Sequence, residues 1–242
     1  MAASPAAVPS AVGSLTAPSL AAGPGLMSAF GVTPALGTGL IWPGPAELQA
    51  HALQHNTGDR RWRSWKQVQL QELVELALQT DRVRLIDVKL EGDFNALVWL
   101  QAPVPRWPME GRLRITDHAV LHLNYQSPWL VEPPPGWMPV GVMEPFDVYL
   151  PNAAPAPRGA LCLGSIPPAC PVRELLYLAY LAVTLQTATL DETEGVLNAH
   201  ACEFFRDHLH FMPLTRTSVL EPWSSAELEL HDALFVPGGT TP

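Results

Sequence analysis

Proline placement limits where helices and strands can form in this chain, because proline has no backbone N–H to donate and fixes its own φ. Most of the prolines lie in three stretches, residues 1–45, 128–136 and 151–171. We therefore expect irregular structure in these stretches and regular elements between them. This division predicts an N-terminal arm over 1–45, one domain over 46–212 that contains two proline-rich loops, and a C-terminal tail over 213–242.

The arm consists of small and apolar residues, and the first charged residue of the chain is Glu47. Such a composition cannot bury enough surface to offset the entropy of ordering, which predicts a disordered arm. The alternative is that residues 26–42 fold back onto the domain. The arm also lacks the basic residues of a secretory signal peptide. The most apolar run, residues 175–185, is about half the roughly 20 residues of a membrane span, so we expect a cytoplasmic protein without a membrane helix.

Charge and cysteine content exclude several classes of function. The 242 residues carry a net charge of −9, which argues against nucleic acid as a partner. The three cysteines include no C-x-x-C pair, so neither a disulfide framework nor a zinc ribbon is indicated. A reducing compartment fits this cysteine usage best.

The first half of the domain reads as a helix followed by strands. Apolar residues recur at helical spacing after the basic start at Arg60, and they are Leu70, Leu73, Val74 and Ala77. Residues 83–90 and 95–102 are then aliphatic runs joined by the turn Glu91-Gly92-Asp93, as in a β-hairpin. We predict a third strand over 119–125 and a fourth over 146–150.

The second half reads as a loop and two helices. Pro171 opens a segment, residues 172–186, that is apolar nearly all round and predicts a central helix packed on the sheet. The acidic sequence Asp191-Glu192-Thr193-Glu194 resembles a capping box and predicts a last helix from there to about Asp207. The predicted fold class is therefore α+β, with an N-terminal helix, a four-stranded antiparallel meander, a loop that carries a cysteine, and two helices on the sheet.

The three cysteines lie in different settings. Cys202 is surrounded by Ala201, Phe204 and Phe205, which predicts a buried packing residue. Cys170 lies at the start of the central helix, where it could have a lowered pKa or serve as a structural cap. Cys162 follows Gly159 in the irregular loop, which favours an exposed and reactive thiol.

The histidines suggest no metal site. His208 with His210, and His118 with His122, are not completed by a cysteine or carboxylate at ligand spacing, so we expect no metal. A cysteine hydrolase that pairs Cys162 with His118, His122 or His200 remains an alternative. Against it, Cys162 does not open a helix as the nucleophile of a papain-like enzyme does.

The residues around Cys162 form a recognisable order. Pro151-Asn152 is followed by Gly159-Ala160-Leu161-Cys162-Leu163, then by Pro168-Ala169 and an apolar helix. This order resembles the E2 ubiquitin-conjugating enzymes, whose signature is His-Pro-Asn, a short loop, and Gly-x-aliphatic-Cys-Leu before a helix. The resemblance extends over about 60–207 and implies the UBC-like fold. It includes an amphipathic helix, four meander strands and two closing helices.

The chain departs from the eukaryotic pattern at several points. Leu150 stands where the family has histidine, the loop between Asn152 and Cys162 is about two residues longer, and no tryptophan follows the cysteine. The Leu-Cys-Leu-Gly segment and the arm are more similar to the E2-like proteins of bacterial conjugation operons. That branch implies a role in bacterial antiphage defence.

The resemblance implies a role for each site residue. Cys162 would carry a ubiquitin-like protein as a thioester, and Asn152 would donate to the oxyanion, although an Asx turn that holds the loop explains it as well. Asp191 would position or desolvate the incoming lysine, unless it serves only as a helix cap. An E1-binding surface is implied at the basic helix start, which otherwise is simply solvated, and it comprises Arg60, Arg61, Arg63 and Lys66.

The implied partners are an E1-like activating enzyme, a ubiquitin-like modifier, a target protein and a JAB-type isopeptidase of the same pathway. The sequence contains no glycine-rich phosphate loop, so ATP-dependent activation is assigned to the E1-like partner and no cofactor is expected. The alternative from another class is a non-catalytic E2-like module that binds a modifier or scaffold through its sheet. That alternative predicts a buried, unreactive Cys162.

Overall fold

The structure is a computed structural model that describes residues 43–109, 112–155, 159–191 and 195–227. Nearly all of the predicted arm, including residues 26–42, lies outside these ranges. Within them, no helix combines the length and the apolar character that a bilayer crossing requires.

Four helices and four strands form the regular structure of these ranges. In chain order they are α1 (Pro45–Gln54), α2 (Arg60–Gln79), β1 (Val83–Lys89), β2 (Phe94–Met109), β3 (Arg112–Tyr125), β4 (Val140–Glu144), α3 (Val172–Val183) and α4 (Ala199–Asp207). Single 3₁₀ turns occur at Ser127–Leu130 and Leu209–Phe211. The α+β class of the prediction is confirmed.

The sheet is antiparallel, and its strands follow one another in the order β1-β2-β3-β4. The predicted meander is therefore confirmed, and Val98 pairs with Leu121 at its centre. The pairing of β1 with β2 ends at Leu100, whereas β2 continues to Met109. Beyond Leu100, β3 remains as the regular partner strand of β2. Proline, which lacks an N–H donor, is tolerated where a strand is paired on one side, so residues 103 and 105 can be prolines.

The fourth strand lies elsewhere than predicted. Residues 146–150 form no named strand, and β4 instead pairs with β3 through Val142 opposite Leu121 and Val140 opposite Leu123. The 146–150 segment lies against the extension of β2, where the Tyr149 N–H donates to the Pro105 carbonyl at 2.8 Å. Both segments are short apolar runs, so periodicity alone could not tell which one pairs with β3.

Helix α1 was not predicted, since the sequence placed the first ordered element at Arg60. Its Ala52 is buried, and Leu48 and Leu53 pack against the core. Proline stands at the first helical position, and the Glu47 carboxylate accepts from the Gly44 N–H at 3.2 Å. Both are ordinary helix-start signals, so the helix was visible in the sequence.

Helices α2 and α3 match their predictions closely. The Asp59 carboxylate caps α2 by accepting from the Trp62 N–H at 2.9 Å. The predicted apolar stripe of α2 faces the core, with Leu70 and Leu73 fully buried. Helix α3 has seven buried residues among its twelve and ends at Val183, three residues before the predicted end.

Helix α4 begins later than predicted. Its N-cap is Asn198, whose side chain accepts from the Ala201 N–H at 3.1 Å. Asp191 is exposed and lies upstream of this cap, while residues 192–194 are outside the described ranges. The expected capping box at Asp191 is therefore wrong, because Asn198 supplies the acceptor at the position where the chain turns into the helix.

The described part of the predicted tail packs onto the domain. Val219 is buried, and its carbonyl accepts from the Thr80 hydroxyl at 2.9 Å. Leu214 is also buried, and its N–H donates to the Thr184 carbonyl at 2.9 Å. Residues 213–227 therefore contribute to the core instead of trailing from it.

Candidate functional site

The segment that leads to Cys162 is held against β4 by backbone hydrogen bonds. The Val142 N–H donates to the Gly159 carbonyl at 2.8 Å, and the Leu161 N–H donates to the Val140 carbonyl at 2.9 Å. Gly159 has φ +56°, and a Cβ at this position would lie 2.1 Å from the Val142 carbonyl oxygen. The close approach to β4 therefore requires glycine at residue 159.

Asn152 and Cys162 are joined by two hydrogen bonds. The Cys162 N–H donates to the Asn152 backbone carbonyl at 2.8 Å, and Asn152 Nδ2 donates to the Cys162 carbonyl at 3.1 Å. Asn152 is 5% exposed, and its Oδ1 has no hydrogen-bond partner among the described residues. The structure thus brings the two predicted residues together, and one amide hydrogen of Asn152 holds the cysteine loop.

Cys162 lies in the wall of a cleft of about 530 Å³. The residue is partly exposed, whereas Asn152 beside it is buried. The rest of the lining is neutral, from the cysteine loop, α3 and the segment after α3, and it includes Leu163, Leu178, Ala182, Thr187, Thr189 and Gly195. A neutral cleft of this kind suits an uncharged chain segment that reaches the thiol.

The other two cysteines are buried. Burial raises the pKa of the Cys170 thiol to about 11, and the Glu174 carboxylate shifts it in the same direction. The structural reading of Cys170 is therefore favoured over an activated thiol. Cys202 is fully buried, as predicted, and its thiol donates to the Leu190 carbonyl at 3.1 Å.

Asp191 lies near the cleft without lining it. Its backbone N–H donates to the Thr189 hydroxyl at 3.4 Å, and Thr189 does line the cleft. The described lining residues do not include Asp191 itself. Asp191 is therefore two positions along the chain from a residue that lines the cleft. Its role toward an amine stays a prediction.

The basic start of α2 separates into two groups. Arg60, Arg61 and Arg63 are exposed, and they form a cationic surface on an acidic chain. Lys66 is fully buried, so it cannot belong to that surface. The predicted partner-binding role of Lys66 is therefore wrong.

Lys66 joins α2 to the β1–β2 turn. Its ammonium donates to the carbonyl oxygens of Thr57, Leu90 and Gly92. Burial lowers the pKa of this ammonium, while the Asp93 carboxylate acts in the opposite direction. Sequence position could not reveal this burial, because Lys66 follows three exposed cations on the same helix.

Two of the candidate histidines contact neighbouring polar side chains. His118 pairs with Asp117 at 2.8 Å, and His122 contacts Asn95 at 3.2 Å. No histidine is among the described residues that line the cleft. In the ranges that the structure covers, no group of three or more His, Cys, Asp and Glu side chains is placed to hold a metal ion.

Sequence reasoning missed Gly195. It lines the same cleft, and a Cβ built on it would lie 3.2 Å from Cys162 Sγ. No motif connects the two positions, because Gly195 lies beyond α3 in the chain. The fold alone brings it to the thiol.

Comparison of the chain with protein-family models, with curated proteins and with solved structures finds no match.

Proposed function

We propose that this protein is an E2-like carrier that accepts a ubiquitin-like protein on Cys162 as a thioester and passes it to an amine of a target. The observation that carries the proposal is the partly exposed Cys162 in the cleft wall, tied to Asn152 by two hydrogen bonds. From α2 onward, the chain forms a helix, a four-stranded meander, a cysteine segment on β4 and two helices, which is the order that the resemblance to the UBC-like fold implies, and this agreement supports the same proposal.

The first step is an exchange between thioesters. The Cys162 thiolate attacks the carbonyl carbon that links the modifier's last residue to a cysteine of the E1-like partner. A new bond forms between Sγ and this carbon, and the bond to the partner's sulfur breaks. The released thiolate takes up the proton that Cys162 gave to solvent, so charge and atoms balance. A thioester remains reactive enough for the second step.

In the second step an amine of the target attacks the same carbonyl carbon. The bond between carbon and nitrogen forms, the bond to Sγ breaks, and the proton lost by the amine restores the Cys162 thiol. Negative charge develops on the carbonyl oxygen before the thiolate leaves. In this proposal Asn152 Nδ2 donates to that oxygen with its second hydrogen, an interaction worth about 3 to 4 kcal/mol in well-placed cases. Asp191, which follows the cleft residue Thr189 closely in the chain, helps to position the amine.

The exposed arginines of α2 supply the proposed E1-binding surface. Arg60, Arg61 and Arg63 place three guanidinium groups within the first turn. On a chain with net charge −9, such a local surface would steer an acidic partner. The pathway would also include the modifier, the target and a JAB-type isopeptidase, in the cytoplasm of a bacterium and in the service of antiphage defence.

The two alternatives receive less support. A cysteine hydrolase needs an imidazole within hydrogen-bond reach of the sulfur, and the described cleft lining contains no histidine. A non-catalytic module was expected to bury Cys162, which is partly exposed. The binding surface of such a module would be the sheet.

Thioester trapping tests the proposal. The full chain is incubated with a candidate E1-like enzyme, its modifier and ATP, and an adduct that reducing agent removes is expected. Cys162→Ala should abolish the adduct, whereas Cys170→Ala, which changes a buried thiol, should retain it. Cys162→Lys should give an adduct that resists reducing agent, because an amide replaces the thioester.

Two results would contradict the proposal. A reducible adduct that survives in Cys162→Ala would assign the carrier role to another residue. If the wild-type protein binds its cognate modifier yet forms no adduct while the E1-like enzyme is charged, the non-catalytic module is the correct reading.

A further inference from the structure

Gly195 lies directly against the proposed nucleophile. A Cβ at this position would lie 3.2 Å from Cys162 Sγ and 3.9 Å from Thr189 Cγ2. Non-bonded heavy atoms prefer separations of about 3.5 to 4.0 Å, so even a methyl group would crowd the sulfur. Larger side chains would extend into the space from which the thiol is approached.

The segment that carries Gly195 is anchored beside the site. The N–H groups of Leu197 and Asn198 both donate to the Pro151 carbonyl, at 2.8 and 3.0 Å. Pro151 directly precedes Asn152, which is bonded to Cys162. Helix α4 begins immediately after Asn198. The chain directly after Gly195 is thus tied to the residue that precedes Asn152.

The backbone at Gly195 adds a second requirement. Its φ is +70°, a region that glycine enters without steric cost and most other residues avoid. This conformation alone does not distinguish Gly195, because Gly164 and Gly136 have φ +79° and +71°. A Cβ at either of those positions would meet nothing within 4 Å. What is particular to Gly195 is the contact with Sγ.

We propose that Gly195 determines the size of the group that Cys162 can accept. Because glycine has no side chain, the space beside Sγ stays free. An incoming carbonyl carbon and its substituents must enter this space to reach the sulfur. The identification of that group as the last residue of a modifier rests on the function proposed above. The limit on size applies to any electrophile that reaches the sulfur.

Alkylation of Cys162 measures this limit without any partner protein. In the reaction with an iodoacetamide, the sulfur forms a bond to the reagent's CH₂ carbon, the carbon–iodine bond breaks, and iodide and the thiol proton enter solvent. The full chain is treated with iodoacetamide or with its bulky fluorescein derivative, and labelling of Cys162 is followed by mass spectrometry of its peptide. Cys170 and Cys202 are buried and serve as internal references.

The informative variant is Gly195→Asn, because asparagine is among the residues that best tolerate a positive φ. We expect its Cys162 alkylation to be slower by about tenfold or more with the bulky reagent, and less affected with the small one. Gly136→Asn carries the same backbone strain away from the cleft and should label like the wild type. Gly164→Asn adds bulk within the cleft without meeting the sulfur, so its effect should be smaller than that of Gly195→Asn.

Unfolding by urea shows which variants are folded, and Gly195→Ala replaces Gly195→Asn if the latter does not fold. Folded Gly195 variants that label at the wild-type rate with both reagents would overturn the inference, as would equal slowing in Gly164→Asn. The function proposed above fails separately: a wild-type protein that forms no thioester, yet shows the expected alkylation pattern, would refute the carrier function and leave the role of Gly195 intact.

Discussion

At the scale of single residues, two glycines of the site lie where an added Cβ would crowd a neighbouring atom. Gly159 lets the cysteine segment lie against β4, and Gly195 lets the chain pass beside the sulfur. Lys66 and Asn152 show the complementary case, because each is a buried polar side chain that donates to backbone carbonyls. The structural roles of Lys66 and Asn152 therefore follow from their burial and could not be predicted from residue type alone.

Replacement of Gly159 tests the steric argument. Gly159→Ala should lower the free energy of unfolding by about 3 kcal/mol, because its Cβ collides with the Val142 carbonyl and its φ is strained. Gly92→Ala is the matched control, with φ +69° and nothing within 4 Å of a Cβ, and should cost about 1 kcal/mol. Urea unfolding of both variants measures the difference, and equal losses would show that backbone strain alone accounts for Gly159.

At the scale of elements, start signals and periodicity located most helices, and long-range pairing decided the strands. Helix α2 carried both an apolar stripe and an N-cap, so its bounds were predictable. The fourth strand was misplaced because two neighbouring apolar runs compete for β3 and only one reaches it. The predicted start of α4 is too early because two cap-like residues, Asp191 and Asn198, precede the helix, and Asn198 is the one that caps it.

The cap of α4 can be tested by comparing the two candidates. Asn198→Ala should destabilise the protein by about 1 kcal/mol, because the Ala201 N–H loses its acceptor. Asp191→Ala should cost clearly less, since Asp191 lies outside the helix and is exposed. The free energy of unfolding in urea gives both values. A larger loss of unfolding free energy in Asp191→Ala than in Asn198→Ala would mean that the helix begins at the acidic sequence.

At the scale of the whole molecule, the segment 213–227 closes the fold by packing beside the start of β1. Arg82 is fully buried and donates to the carbonyls of Glu221 and Pro222, at 2.7 and 3.1 Å. The same guanidinium pairs with the Glu227 carboxylate and stacks on Trp223 at 5.1 Å. One buried cation thus joins sequence-distant parts of the chain.

Loss of this cation should release the segment. Arg82→Met is expected to lower the free energy of unfolding by about 3 kcal/mol, because Glu227 and two carbonyls lose their partner. Limited proteolysis should then cut within 213–227 faster than in the wild type. Arg84→Met is the control, since Arg84 also stacks on a tryptophan, Trp99 at 4.8 Å, but is exposed. An Arg82 variant that resists protease as well as the control does would contradict this account.

Much of the fold could be predicted because its signals are local. The stripe of α2, the apolar character of α3 and the turn between β1 and β2 each lie within one continuous segment. The pairing of Asn152 with Cys162 was predicted from a motif resemblance and is present in the structure. The role of both residues in catalysis stays a prediction, which the trapping experiment addresses.

The sequence by itself determined the α+β class, the order of the elements from α2 to α4 and the cysteine with the greatest exposure. The tertiary structure decided which apolar run became β4, that Lys66 is buried while its neighbours are exposed, and that Gly195 lies at the thiol. The physical reason is the range of the interactions. Helix periodicity and turns depend on neighbouring residues, whereas strand pairing, burial and the clearance around a side chain depend on atoms that only folding brings together.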